Sequence, residues 1–429
     1  MQNSARILVV GLVLICLHHI TTGQQIEVLY EKKLDLGLSD KILVENHLTY
    51  DPNNPDHLLI SGMFVNTEDP DEYGDFSVLS EDNGKSWKYL KVFDVAQGAD
   101  PWCAITSTGT AICTVLGLEK LYVYRSEDGG KNWQDEAVDL GKYHDHQTMA
   151  VDFERNVIYL VSIKGNKIYV NKSEDDGLTF PSPTSFRFSN LGSNTMTPVV
   201  LSDGTLLVSF TNFNRPAIGQ PRNGGRVQLS KTLSWLLPSK DQGNSFATPL
   251  FISESCEAGF PVLAVDQSDA TFKDRLYYVC SSQSDNMILS HYSDTKGKSW
   301  SFPVKVKQYH HLPRHKRNPF TGTPQVTVNN QGIVGVIWQD RMEDAKGNCQ
   351  YLYFTASIDG GKTYLPPVQV STKPSCMEID QNHWAGARYK SGGDYTGFVA
   401  KPNGNFQAVW ADSRGEISQL YMAEITVGK

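Results

Sequence analysis

The sequence predicts an all-β protein, a β-propeller of seven four-stranded blades. Three observations lead to this fold class. An eight-residue motif recurs six times along the 429 residues. The segments between the copies have the alternation of hydrophobic and polar residues that is typical of short strands, and they are separated by Gly, Asn and Asp turns. One motif copy accompanies about every four such strands, and a repeated four-stranded unit is the building block of a propeller.

The motif reads Ser-x-Asp-x-Gly-x-[Ser/Thr/Asn]-aromatic, and each specified position has a physical role. The Asp side chain accepts hydrogen bonds from nearby backbone N–H groups and closes a turn. The Gly adopts a backbone angle that a side chain would penalise, and the aromatic ring anchors the turn by burial. Thr295 stands at the Asp position of one copy, so we expect a weaker turn there. The copies are Ser80–Trp87, Ser126–Trp133, Ser173–Phe180, Ser239–Phe246, Ser293–Trp300 and Ser357–Tyr364.

The strands of one complete blade surround the third motif copy. Three strands precede the motif and one follows it, which gives an order a to d with the motif between c and d. Pairs of strands like a and b recur around short turns elsewhere in the chain. The predicted strands of this blade are Thr148–Asp152, Asn156–Ser162, Lys167–Lys172 and Thr184–Phe188, and the further a–b pairs span Val199–Val208, Val326–Trp338 and Phe398–Trp410.

The last blade, Thr396–Val427, shows only three strands and no motif. The segment Gln25–Gly37 has the pattern of a lone outer strand. We therefore predict that this N-terminal strand completes the C-terminal blade, which protects an otherwise free sheet edge. The alternative is a propeller of six blades, with the C-terminal strands assigned differently.

The motif resembles the Asp-box, or BNR repeat, and the chain resembles the sialidase-like superfamily of Asp-box β-propellers. This resemblance covers nearly the whole chain after its first 23 residues. It implies a propeller fold, with six blades in sialidases proper. It implies little about chemistry, because secreted proteins with and without catalysis use the same turn.

The N-terminus predicts a secreted protein, with residues 1–23 as a signal peptide and residues 24–429 as one propeller domain. Arg6 provides a positive charge, Ile7–Leu17 an apolar segment and Thr21–Gly23 a small-residue cleavage site. No other segment approaches the roughly 20 apolar residues of a membrane span. The net charge of −8 argues against nucleic-acid binding. Asn171 begins an N-x-S sequence and is a candidate glycosylation site.

Six cysteines remain after residue 23, an even number that suits an oxidising compartment. Cys103 and Cys113 flank a short turn and can face each other across a hairpin. The other cysteines are expected to join loops at one end of a blade, as Cys256–Cys280 and Cys349–Cys376. No CxxC spacing indicates a zinc site, so we expect neither a metal nor a cofactor.

The functional face is predicted from the motif spacings. The Asp positions of successive motif copies are 46 and 47 residues apart for the first three copies. Two later separations are longer, at 66 and 64 residues. The additional residues fall in b–c and d–a connections, which share one end of a propeller. Segments 212–226 and 308–323 account for most of them. Insertions confined to one face of a repeat protein usually mark its binding face.

The resemblance to sialidases implies a set of catalytic and binding residues on this face. Sialidases hold a sugar carboxylate with three arginines and use a Tyr nucleophile paired with a Glu, together with an Asp acid. The sequence departs from this pattern, since the N-terminal Arg-Ile-Pro motif is absent. Two of these arginines lie in similar segments, Trp338–Arg341 and Trp410–Arg414. The simpler alternative for both segments is an Asp–Arg pair that braces a loop over a buried Trp. The implied residues are Arg341, Arg388 and Arg414 for the carboxylate, Asp71 as acid, Tyr395 as nucleophile and Glu257 or Glu378 as its partner.

Two other functions remain open for the same face. A polysaccharide lyase would use His and Tyr to remove a proton beside a sugar carboxylate; the histidines of these loops are His144, His146, His310, His311 and His383. A non-catalytic module would bind glycans or proteins through Trp102, Trp384 and Tyr395. We predict a secreted monomer that binds a carboxylated glycan or glycoprotein, with exo-sialidase as the leading reaction.

Overall fold

The computed structural model describes the backbone of residues 25–69, 71–142, 144–188, 192–213, 232–256, 258–282, 287–308, 324–341, 349–376, 392–415 and 417–428. Within these ranges the strands form seven antiparallel sheets. The predicted all-β class and the count of seven blades are confirmed, and the six-bladed alternative is wrong. The described segments include no helix that is long and apolar enough to cross a membrane.

The first three blades each run from an inner strand a to an outer strand d in chain order. Blade 1 contains β2 (Lys41–Asp51), β3 (Asn54–Asn66), β4 (Tyr73–Ser80) and β5 (Lys88–Val92); blade 2 contains β6 (Ala99–Ile105), β7 (Ala111–Leu116), β8 (Lys120–Ser126) and β9 (Val138–Lys142); blade 3 contains β10 (Asp145–Asp152), β11 (Val157–Lys164), β12 (Lys167–Ser173) and β13 (Thr184–Phe186).

Blades 4 to 6 repeat this order, and blade 6 has one additional short strand, β26, paired with its strand c. Blade 4 contains β14 (Gly192–Val200), β15 (Leu206–Phe213), β16 (Leu233–Ser239) and β17 (Leu250–Ser253); blade 5 contains β18 (Ala258–Val265), β19 (Leu276–Ser282), β20 (Met287–Ser293) and β21 (Val304–Gln308); blade 6 contains β22 (Gln325–Val328), β23 (Val334–Arg341), β24 (Cys349–Ser357), β25 (Val368–Gln369) and β26 (Ser375–Cys376).

Blade 7 closes the ring with strands from both ends of the chain. Its inner strands are β27 (Gly397–Ala400), β28 (Phe406–Asp412) and β29 (Gln419–Val427), and its outer strand is β1 (Ile26–Lys33). The two terminal strands pair antiparallel from Ile26 opposite Val427 to Lys33 opposite Tyr421. The predicted closure is therefore confirmed.

The repeated motif forms the same turn between strands c and d in six blades. In the first copy, the Ser80 hydroxyl accepts a hydrogen bond from the Gly84 amide at 2.7 Å. The Asp82 carboxylate accepts bonds from the amide and the hydroxyl of Ser86, at 2.8 and 2.6 Å. The backbone N–H groups of the turn have no partner in a neighbouring strand, so these side-chain bonds satisfy them. This explains why the motif needs an acid, a hydroxyl and a glycine at this spacing.

The hydrophobic core lies between neighbouring blades rather than within one sheet. Between blades 5 and 6, for example, Tyr277 and Val279 pack with Val334 and Trp338. Comparable clusters join the other neighbours around the ring, including blades 6 and 7 and blades 7 and 1. Because each blade buries both faces against its neighbours, closure of the ring removes the last exposed apolar face.

The three disulfides have the predicted pairing. Cys103–Cys113 connects β6 and β7, Cys349–Cys376 connects β24 and β26, and Cys256–Cys280 ties the loop before β18 to β19.

The connectivity separates the two ends of the propeller axis. Turns a–b and the repeated motifs lie at one end, and the b–c and d–a connections lie at the other, here called the loop-rich face. The two long insertions predicted from the spacings fall between β15 and β16 and between β21 and β22, which are b–c and d–a connections.

Candidate functional site

The inner strands of blades 1 to 5 each carry a register shift against strand b toward the loop-rich face. In β2, β6 and β10 the register with strand b shifts by one bulge near the start of the strand. The first bulged residue is Glu45, Asp100 and His146, and each has a positive φ, of 50°, 53° and 48°. A non-glycine residue in this conformation is strained, and such strain concentrates at functional sites. Bulges also redirect side chains beside active sites.

The side chains at these three bulges surround Tyr395, which lies just before β27. The Tyr395 hydroxyl is 3.3 Å from Nδ1 of His146, and the residue is only 9 % exposed. Burial raises the pKa of Tyr395 well above its usual value, and the negative charges around it raise it further, so the hydroxyl remains protonated at neutral pH. These charges belong to Asp100, Asp394, Glu45 and Asp145.

An aromatic wall adjoins this hydroxyl. The Trp102 ring stacks on His47, with centroids 4.0 Å apart, and meets Tyr395 edge to face at 5.7 Å. The His146 ring packs against Phe260 at 4.8 Å. Burial lowers the pKa of His47 to about 3, so His47 is neutral at physiological pH and acts as a packing group.

A cavity of about 310 Å³ follows the propeller axis beneath these rings. It is lined by the inner strands, with His47, Trp102 and Tyr395 toward the loop-rich face and Phe153 toward the opposite end. The volume lies within the range of small-molecule sites, roughly 300–1,000 Å³. The Tyr395 hydroxyl and the aromatic wall thus border a space that can admit a ligand.

Further acidic side chains lie near this part of the site. Asp75, in β4, is fully buried, and neither carboxylate oxygen has a hydrogen-bond partner among the described residues. Burial raises the pKa of Asp75 well above its usual value, and the charge of Asp100 adds to the effect. Ligand atoms of Asp100, Asp145 and His146 all lie within 4.8 Å of one another.

The structure brings together two of the predicted site residues, Tyr395 and Trp102. Asp71, the predicted acid, lies on an exposed b–c loop of blade 1, where its amide donates to the Asp69 carboxylate at 3.2 Å. The acids whose charges act on Tyr395 come from other segments. His144 has a packing role, since it is 6 % exposed and its Nδ1 is 2.7 Å from the Ser162 hydroxyl.

Arg414, a predicted carboxylate ligand, is paired with two acidic side chains of the chain itself. Its Nη2 atom lies 2.6 Å from both Glu31 and Asp412, and its guanidinium stacks over Tyr421 at 4.2 Å. The indole N–H of Trp410 donates to the same Asp412 carboxylate at 2.9 Å. In this copy of the Trp-x-Asp-x-Arg pattern, the Asp–Arg pair therefore lies over a buried Trp.

The remaining predicted residues cannot be assigned to the site. Asn171, the predicted glycan acceptor, lies in β12 and is 2 % exposed, a position with no room for a glycan in the folded chain. The backbone of Arg341 ends β23, but its side chain is not described. Glu257, Glu378, Trp384, Arg388 and the histidines His310, His311 and His383 lie outside the described residues.

Sequence reasoning missed Glu45, His47 and Asp75. A signal for Glu45 exists, since the bulged pairs of three inner strands align as Glu45-Asn46, Asp100-Pro101 and His146-Gln147, each beginning with a polar residue and followed by hydrophobic residues within two positions. Asp75 gives no such signal, because it looks like an ordinary polar residue of strand c.

Comparisons with known proteins place the chain in a family. Residues 45–270 match the family described as BNR repeat-like domain. The chain belongs to this family. The membership in the sialidase-like superfamily of Asp-box propellers that the motif predicted is confirmed. No curated protein matches this BNR repeat-like chain in sequence.

Solved structures share the propeller fold of this BNR repeat-like protein at low sequence identity. An ulvan lyase of a polysaccharide lyase family is similar at 11 % identity and a TM-score of 0.55, over 93 % of this chain and 96 % of its own. A Dyadobacter fermentans protein of unknown function is similar at 11 % and 0.53, over 94 % and 99 %. A Hadza microbial sialidase is similar at 13 % and 0.48, over 83 % and 73 %.

Proposed function

We propose that this BNR repeat-like propeller is a secreted carbohydrate-active protein that binds a carboxylated glycan at the loop-rich end of its axis and cleaves it by β-elimination. The observation that carries the proposal is the contact between the hydroxyl of Tyr395, a residue that lines the axial cavity, and His146, which has a strained backbone conformation in an inner strand. The activity of the ulvan lyase with the same fold belongs to this reaction class.

The cavity and its wall support a sugar as the ligand. Trp102 offers an apolar surface beside the polar groups of Tyr395 and His146, and sugar rings pack on aromatic faces while their hydroxyls bind polar groups. The volume of about 310 Å³ admits a small ligand and not a folded chain. We therefore place one sugar unit at the cavity mouth, with the rest of the glycan along the loop-rich face.

The proposed chemistry uses His146 as the base and Tyr395 as the acid. In β-elimination, a base removes the proton next to the sugar carboxylate, the electron pair forms a C=C bond, and the glycosidic oxygen leaves with a proton. His146 in its neutral form accepts the first proton. Tyr395 donates the second, because its raised pKa keeps the hydroxyl protonated. Positioned acid–base groups of this kind contribute roughly 10²–10⁴-fold to rate.

Hydrolysis of a terminal sialic acid is the second candidate, and one observation favours it. Glu45 is fully buried and its charge acts on Tyr395, which resembles the Tyr–Glu pair of sialidases. Two features weigh against it. The raised pKa of Tyr395 opposes formation of a phenolate nucleophile, and Arg414 is engaged by Glu31 and Asp412.

The test exposes the purified protein to uronate-containing polysaccharides and, separately, to a fluorogenic sialoside. Elimination produces an unsaturated sugar, which is followed by its ultraviolet absorbance. We expect Tyr395→Phe to lower the rate at least ~100-fold, and Tyr122→Phe, on strand c of blade 2 (β8), to leave it unchanged. Release of the fluorophore with no unsaturated product would favour hydrolysis. Binding without either product would leave a non-catalytic glycan-binding propeller.

A further inference from the structure

The ring of His146, the base of the proposed reaction, packs against a residue from a blade that is not its neighbour. Its centroid lies 4.8 Å from that of the Phe260 ring, and the two ring planes are inclined by 46°. His146 belongs to β10 of blade 3, whereas Phe260 belongs to β18 of blade 5. Blade 4 lies between these blades in the ring, so the contact joins inner strands that do not pair with or adjoin each other.

The backbone of His146 does not by itself determine where the ring nitrogens point. The φ of 48° sets the direction of the side chain from the strand, but the torsion that rotates an imidazole ring has broad, roughly two-fold minima. A half-turn about this torsion would carry Nδ1 away from the Tyr395 hydroxyl, which lies 3.3 Å from it. Such a ring keeps one orientation when neighbouring groups pack against it, and Phe260 is a neighbour of this kind.

The segment that carries Phe260 is itself anchored by a disulfide. The register of β18 against β19 shifts between Ala258 and Val262, where four residue steps of β18 face two of β19. Phe260 lies within this bulge. Cys280 of β19 stands opposite the bulge and is bonded to Cys256, two residues before β18 begins. Both cysteines are fully buried in the cluster between blades 4 and 5, so the disulfide ties the start of the bulge to the core.

We propose that Phe260 is a positioning residue for His146 and that the Cys256–Cys280 disulfide holds Phe260 in place. This step rests on the proposed function, because it assigns what orients the base of that reaction. The disulfide anchors the bulge, the bulge presents the phenyl ring, and the phenyl ring keeps Nδ1 of His146 toward the Tyr395 hydroxyl. Phe260 thus acts on the reaction through His146.

Steady-state kinetics of the elimination test the role of Phe260. Phe260→Ala removes the packing face, and a displacement of a catalytic group by about 1 Å can cost roughly 10²-fold in rate. We expect kcat to fall at least ~10-fold and KM to change less than about threefold, because the contacts with the sugar remain. Phe260→Tyr retains the aromatic ring and should keep kcat within about threefold of wild type. Circular dichroism verifies that each variant is folded.

The paired variant Cys256→Ala/Cys280→Ala tests the disulfide, and we expect it to lower kcat at least ~5-fold. The matched control is Cys349→Ala/Cys376→Ala. That bond spans a similar length of chain, 27 residues against 24, and joins β24 to β26 in blade 6. Both paired variants should lose stability, since each removes a cross-link, but the control should keep kcat within about twofold of wild type.

A crystal structure of the Phe260→Ala variant provides a measurement that needs no glycan. We expect the distance between Nδ1 of His146 and the Tyr395 hydroxyl to exceed about 3.5 Å, the limit of a hydrogen bond. This measurement also decides the role of Phe260 if the variant without Cys256 and Cys280 does not fold.

Three results would overturn the role of Phe260: an unchanged kcat in folded Phe260→Ala, a raised KM at unchanged kcat, or a retained contact between His146 and Tyr395 in its crystal structure. The second result would place Phe260 against the sugar instead. Equal losses of kcat in the two paired cysteine variants would refute the part assigned to the disulfide. Absence of elimination by the wild-type protein would refute the proposed function, whereas the crystal structure would still decide whether Phe260 orients His146, so the two failures are distinguishable.

Discussion

Near Tyr395, individual residues adopt backbone conformations that lower the stability of the folded protein. Asp100 has a φ of 53° and lies beside the buried carboxylate of Asp75. Left-handed backbone at a non-glycine residue costs about 1–3 kcal/mol, and the adjacent carboxylates add repulsion. Stability is therefore lowered where the candidate chemistry is located.

Asp100→Gly is thus expected to stabilise the protein by about 1 kcal/mol, because glycine adopts this backbone freely. Urea unfolding measures the change. Gln97→Gly, at a φ of 54° in a nearby turn, is the control for strain relief alone. Lower stability of Asp100→Gly than of wild type would show that Asp100 contributes a structural contact instead.

His47 makes stability depend on pH. Its pKa in the folded protein is about 3 because of burial, below the unfolded value of about 6.5. The unfolded chain therefore takes up a proton first as the pH falls, and stability is lost below about pH 6.5. Between pH 7 and 5 the loss is about 2 kcal/mol. His47→Phe keeps the stack on Trp102 and should flatten this slope in paired urea titrations; an equal slope in both proteins would contradict the assignment.

At the scale of elements, the repeated turn is the best-predicted part of the molecule. The motif determines its own local hydrogen bonds, so it is visible in sequence without knowledge of the partners. The bulges of β2, β6 and β10 are different. They depend on the register with strand b and on neighbouring blades, and no local pattern reveals them. His146 was therefore predicted only as one of several loop histidines that a lyase could use, and neither Asp100 nor Glu45 was given a role.

The weakened copy of the motif provides a prediction at this scale. Thr295 has one oxygen, which accepts from the Ser299 amide at 2.8 Å and contacts the Ser299 hydroxyl at 2.9 Å. In the first copy, for example, Asp82 accepts the corresponding amide bond on one carboxylate oxygen and the hydroxyl bond on the other. Thr295→Asp should raise stability by about 1 kcal/mol, seen as a higher melting temperature. Thr295→Ala should lower it.

The gain from Thr295→Asp should depend on pH. Hydrogen bonds from the hydroxyl and then the amide of Ser86 lower the pKa of Asp82, its counterpart in blade 1, to about 2. A carboxylate with a lowered folded-state pKa stabilises above its unfolded pKa of about 3.9, and the contribution is lost as the pH falls toward 2. A gain that persists at pH 2 would mean that packing and not charge is responsible.

At the scale of the whole molecule, blade 7 joins the two ends of the chain. The sequence predicted this closure, because a three-stranded last blade and a lone first strand complement each other. It did not predict that Glu31 of β1 would hold Arg414 of the loop after β28. Arg414, a candidate substrate ligand, thus forms an ion pair with Glu31, here called the clasp, which joins residues near opposite ends of the sequence. Pairings of this kind emerge only from the closed ring.

The clasp should be a principal determinant of stability. The Glu31 and Arg414 side chains are 8 % and 9 % exposed, and Glu31 also accepts bonds from the amide and hydroxyl of Thr372. Burial raises the pKa of Glu31, but the bonds from Arg414 and Thr372 outweigh it and lower the pKa overall. Removal of one partner of a buried ion pair costs about 3–5 kcal/mol. We expect Glu31→Gln to destabilise the whole propeller by about 3 kcal/mol, since the amide keeps some of the hydrogen bonds.

Glu27→Gln is the matched control, an exposed Glu on the same strand, and should change stability by less than about 0.5 kcal/mol. The difference between the two variants should diminish below about pH 4, where Glu31 of wild type loses its charge on unfolding. Urea unfolding monitored by circular dichroism measures both effects. If blade 7 holds the ring closed, Glu31→Gln should lower the midpoint of the single transition. Equal midpoints for Glu31→Gln and Glu27→Gln would show that the hydrogen bonds of β1 with β29 close the ring without the clasp.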